Sequence, residues 1–154
     1  MQIEIDQSGK IEQTNHVTVI ALTNGVQYTI LVKKNDKRLI EKEFRKHKLY
    51  KLHSQITFAT LIAIIVSKSK VTKSILIDTE YPSYDNYIKK IVLDLIGNKC
   101  PTIKFGFVGK ESRSDVLAGK VAHKKIKPNC IVSADEVIKI IFKKKKIEER
   151  LSQD

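Results

Sequence analysis

Two aspartates stand where apolar stretches end. Ile3-Glu4-Ile5-Asp6 alternates apolar and acidic residues, then runs through Gln7 into the turn signal Ser8-Gly9-Lys10. Ile3 and Ile5 point to one face of such a strand and Glu4 and Asp6 to the other. Ser74-Ile75-Leu76-Ile77-Asp78 is apolar almost without a break, as expected of a central strand covered on both faces, and it too ends on an aspartate. If these strands are sheet neighbours, their carboxylates meet. Anions packed that closely need a counter-cation, and a divalent metal is the usual one. A single aspartate at a strand end is a common turn former. The pair, not either member, points to chemistry.

Other chemistries find no support. Gln7-Ser8-Gly9-Lys10 is too short for a phosphate-cradling loop and is followed by another strand rather than a helix. Cys100 and Cys130 lack CxxC spacing and a paired His pattern, which argues against structural zinc, and both read as structural residues. No Ser-His-Asp or Cys-His arrangement can be assembled. The longest apolar run, Ile56 to Val66, has 11 residues and contains Thr57 and Thr60. A bilayer span takes about 20. Without a signal-like start, the expectation is a cytoplasmic protein with no membrane partner.

Most of the 154 residues must serve to position those acids, and the length suits one domain, expected over 1–146 with a short tail at 147–154. His16 to Leu22 reads as a second strand, Asn24-Gly25 as a hairpin turn, and Val26 to Val32 as a third strand. Lys37 to His47 reads as a solvated helix whose apolar residues are Leu39, Ile40 and Phe44. His53 to Lys68 is apolar nearly all round, so it must be buried on most sides. After the Asp78 strand, Ser83 is expected to cap an amphipathic helix that ends at Gly97. Thr102 to Val108 reads as a strand with Ile103, Phe105 and Phe107 on one face. A polar loop and short helix follow over Glu111 to Lys125, with Val116, Leu117, Lys120 and Val121 at helical spacing. Cys130 to Val132 reads as a short sixth strand. Ser133-Ala134-Asp135-Glu136 is a capping box for a last helix with Val137, Ile138, Ile141 and Phe142 on its apolar face, and Lys143 to Lys146 complement that helix's negative end.

Condensed to β-β-β-α-β-α-β-α, with acids at the ends of the first and fourth strands, this α/β order resembles the ribonuclease H-like superfamily: a mixed sheet of three antiparallel strands followed by parallel ones, flanked by helices. The resemblance covers roughly residues 1 to 125 and rests on element order and acid placement. Ile5-Asp6-Gln7-Ser8-Gly9 is similar to the Asp-Glu-(Ala/Ser)-Gly opening of type 2 ribonuclease H, with Gln7 where those proteins carry Glu. The resemblance implies that Asp6 and Asp78 ligate two metal ions, Mg2+ or Mn2+. It matches the family's further acid to Asp115 in Ser112-Arg113-Ser114-Asp115-Val116-Leu117-Ala118. His53 to Val66 carries no acid where the family places a Glu, which leaves Glu4, Glu80, Glu41 and Glu43 as substitutes, with Glu80 also a candidate metal ligand beside Asp6, Asp78 and Asp115. The implied activity is divalent-metal-dependent phosphodiester hydrolysis of RNA, DNA or a hybrid. Two alternatives stand beside it: a catalytically inactive nucleic-acid-binding module of the same fold, and a partner-binding α/β protein with no nucleic-acid role.

Charge bears on the partner. The chain holds 29 Lys and Arg against 17 Asp and Glu, a net charge of +12, which suits a polyanion. Eight basic residues fall between Lys99 and Lys127, around Asp115. Lys10, Lys110, Arg113, Lys120, Lys124 and Lys125 are the expected contacts to a nucleic-acid backbone. Arg38 to Lys51 forms a second basic cluster. His123 is a weaker candidate for proton transfer, and Tyr81, Tyr84 and Tyr87 for stacking on bases.

Overall fold

Three antiparallel strands open the chain in the computed structural model, which describes residues 2–109 and 112–142: β1 (Ile3–Ser8), β2 (Thr18–Thr23) and β3 (Tyr28–Val32). The helices α1 (Lys34–Lys46) and α2 (His53–Ser69) lead to β4 (Ile75–Asp78). Then follow α3 (Asp85–Ile96), β5 (Ile103–Gly106), α4 (Arg113–Ala122), β6 (Cys130–Ile131) and α5 (Ala134–Phe142). The six strands form one mixed sheet in the order β5-β4-β1-β2-β3-β6. β4 runs parallel to β1, β5 parallel to β4, and β6 parallel to β3. The molecule thus carries more elements than β-β-β-α-β-α-β-α: two helices separate β3 from β4, and a strand and a helix follow α4.

The strand period of two divides the sheet into two unequal faces. Ile3, Ile5, Ile20, Leu22, Ile30, Ile75 and Ile77 pack with α2, α3 and α5 in the main core. α2 runs through that core with a continuous buried stretch from Ile56 to Val66, which is why it lacks a polar stripe. By length and composition the 20-residue stretch Tyr50–Ser69 could cross a membrane, yet 67% of its apolar window is buried inside the fold. On the opposite face Val19 and Ala21 meet Leu117, Ala118 and Val121 of α4 in a smaller core. Among the described residues α4 is the helix that packs on this face, and Asp6 lies on it, since Asp6 pairs with Ala21.

Several sequence expectations are corrected. Ser83 does not cap α3; it takes a left-handed turn conformation (φ 77°), and Tyr84 precedes the helix. Gly97 ends that helix as expected, at φ 81°. Leu39 is exposed, while Lys37, one turn before Ile40 and two before Phe44, is buried in its place. Phe107 lies beyond the end of β5 rather than on its inner face and is 86% exposed. Val116 is exposed, and the buried face of α4 is Ser114, Leu117, Ala118 and Val121. Ser133 does cap the last helix, accepting from the Glu136 N–H at 3.2 Å. Lys143 to Lys146 and the 147–154 tail lie outside the described residues, as does Lys110.

Candidate metal centre

Register brings the two strand-end aspartates together. The parallel ladder pairs Glu4 with Leu76 and Ile5 with Ile77, so the next step sets Asp6 beside Asp78 on the face that α4 covers. Glu80, two residues past the strand, joins them: one carboxylate oxygen each from Asp6, Asp78 and Glu80 lies within 4.8 Å of the others. Asp115 arrives from the first turn of α4, where the Ser112 hydroxyl accepts from its N–H at 3.1 Å. Its carboxyl is near enough to Asp6 to help raise that group's pKa, though it is not one of the three carboxylates within 4.8 Å of one another. Four carboxyl groups from β1, β4, the segment after β4 and α4 therefore share one end of the sheet.

Two backbone donors orient the group. The Gln7 N–H donates to Asp6 Oδ1 at 2.7 Å, and the Val108 N–H donates to Asp78 Oδ1 at 3.0 Å. The cluster is nonetheless under electrostatic stress. Asp6 is 6% exposed, and its pKa is raised to about 7, first by burial and then by repulsion from Asp78 and Asp115, against the Gln7 N–H. Glu80 is raised to about 8 by burial, by a hydrogen bond with Asp78 and by the Asp78 and Asp6 charges; Lys10 opposes this. Burial and like charge thus raise both Asp6 and Glu80 well above the ordinary carboxylate range. An all-oxygen donor set of this charge density fits a hard divalent cation, which would compete with protons for these groups.

Gln7 explains one departure from the sequence pattern. It lies on the opposite face of β1 from Asp6, next to Tyr81, so an acid at this position would not reach the cluster. Of the four substitute glutamates only Glu80 joins the site. Glu41 pairs with Arg45 at 3.1 Å and Glu43 with His47 at 3.2 Å, both on α1. Of the four, Glu80 is also the one that the sequence reading places among the candidate metal ligands, although the chain has already left β4 when it reaches that residue.

Among the described residues, the expected nucleic-acid contacts fall on more than one part of the surface. Lys10 stands beside Glu80, where it lines a cleft of about 240 Å³ with Lys51, Ser54, Gln55 and Tyr81. Arg113 and Lys120 instead line a groove against the β2–β3 turn, Thr23 to Gln27, at the end of the sheet where β1 begins. Lys124 and Lys125 are exposed in the turn after α4, next to His123, which ends that helix. Tyr81 packs on Phe58 and, like Tyr87, is half-buried, which leaves Tyr84 as the exposed member of the three tyrosines.

Comparison of the chain with protein-family models, with curated proteins and with solved structures gives no match.

Proposed function

We propose that the protein is a divalent-metal-dependent nuclease of ribonuclease H-like type, hydrolysing phosphodiester bonds in RNA, DNA or a hybrid. The observation that carries this reading is the meeting of Asp6, Asp78 and Glu80, with Asp115 against Asp6, at one end of a mixed sheet of three antiparallel and further parallel strands. Asp6 and Asp78 are the central ligands in this reading, each with one oxygen already fixed by a backbone N–H. Glu80 takes the part of the glutamate missing from α2, and Asp115 completes the donor set. Magnesium or manganese suits such a set. When bound, a divalent ion supplies Lewis acidity toward a phosphodiester and a water acidified toward neutral pH.

The chain's own residues do the rest. The four carboxylates collect negative charge that binds cations and repels a bare phosphate. Lys10 and Lys51, beside Glu80, offset that repulsion and give a flanking phosphate a place to rest. α4 closes over Asp6 and limits its contact with water, which strengthens every charge interaction there.

The test is cleavage of labelled single-stranded, duplex and hybrid substrates with Mg2+ or Mn2+. Metal-dependent cleavage that Asp6→Asn and Asp78→Asn each abolish, with folding retained by circular dichroism, is the expected outcome. Salt-sensitive binding without cleavage would instead support the inactive binding module. No binding to any nucleic acid at low salt would leave the partner-binding reading.

A further inference from the structure

Phe107 has no structural employment. At 86% exposure it is the most exposed large apolar side chain among the described residues. Its backbone is nevertheless tied to the acidic cluster on both sides. Gly106 is the residue paired with Asp78, and its carbonyl accepts from the Thr79 N–H at 3.0 Å. Val108 donates its N–H to the Asp78 carboxylate itself. A phenyl ring is thus held in water one residue from each of two direct contacts to the Asp78 segment. Gly106 lies on β5, an edge strand of the sheet, where a Cβ would meet Leu76 Cδ1 at 3.2 Å.

Resting on the nuclease reading, we infer that Phe107 is a stacking platform for an unpaired base next to the scissile phosphate, and that the preferred substrate is single-stranded there. A bare aromatic face binds a nucleobase whatever its identity, provided that face of the base is free. Inside a duplex both faces are already stacked on neighbouring base pairs, so the ring has nothing to bind. A protein partner is the poorer occupant. The other exposed large apolar residues, such as Leu39, Val26 and Ile131, lie on other elements, and a lone ring beside carboxylates is not an apolar patch.

The chain contains no Trp, so Phe107→Trp gives a single indole as reporter. Its fluorescence would be followed, with Ca2+ present, against a single-stranded oligonucleotide, the same strand with abasic sites, and a blunt duplex. Binding of each would be read in parallel by anisotropy of a labelled strand. Quenching by the intact single strand, little by the abasic strand or duplex, and about tenfold weaker single-strand binding by Phe107→Ala are expected. Single-strand binding without quenching, or undiminished by Phe107→Ala, overturns the stacking role and leaves the nuclease reading standing. Absence of binding to every nucleic acid overturns both.

Discussion

Asp6 shows how far burial and like charge can move one side chain. Its folded pKa of about 7 lies above the ordinary 3.8. Between those values the folded chain keeps a proton that the unfolded chain has lost, so stability must fall as pH rises through this window. Glu80, raised from 4.5 to about 8, extends the same trend upward. The metal-free protein is therefore expected to melt lower at pH 8 than Asp6→Asn, whose amide can still accept from the Gln7 N–H but carries no charge. At pH 4 the difference should disappear. Thermal melts of both proteins in EDTA across that range check this; curves that stay parallel at every pH would contradict it. The meeting of Asp6 and Asp78 was legible in the sequence, since each ends an apolar strand and parallel neighbours align such ends. Phe107 was not, because its place in an alternating pattern continues past the residue at which β5 stops.

At the scale of elements, α1 is joined to the site by Lys37. Its ammonium donates to the carbonyls of Lys10, Gln13 and His16 at 2.8, 2.6 and 2.7 Å, fastening the β1–β2 connection to the helix. That connection begins at Gly9, whose φ of 81° and approach to the Val17 carbonyl leave no room for a Cβ, and it delivers Lys10 to the acidic cluster. Burial lowers the Lys37 pKa to about 8, which keeps most of the ammonium charged at neutral pH and exposes its bonds to loss above that. Lys37→Met removes all three donors at once and leaves carbonyls unpaired, so it should destabilise the fold by about 3 kcal/mol or more by urea denaturation. A change below about 1 kcal/mol would contradict the role given to these bonds. Sequence periodicity could not find this residue. Lysine at a helix position next to apolar ones reads as solvated, and its partners come from a loop more than twenty residues earlier. By contrast α2 and β4 were legible at nearly their observed bounds, because an apolar run of helical length and a short apolar run each leave one buried solution.

For the whole molecule the net charge of +12 and the acidic cluster pull in opposite directions. On the proposed nuclease reading, a nucleic acid would be attracted by the net charge and repelled at the carboxylates until cations arrive. Nucleic-acid binding should therefore weaken steeply with salt, by at least tenfold between 50 and 200 mM, as counterions compete with the lysines. Fluorescence anisotropy across that range checks it, and salt-independent binding would place affinity outside electrostatics. The main core lies on one face of the sheet, and among the described residues α4 packs on β1 and β2 on the other, the face that carries the acids. The central claim, that these carboxylates form a divalent-cation site, is tested most directly by calorimetric titration of Mn2+ at pH 7 in two buffers of different ionisation enthalpy. Saturable binding with proton release, lost in Asp6→Asn, is the predicted result. No Mn2+ binding at millimolar concentration, or binding that Asp6→Asn leaves unchanged, would contradict it.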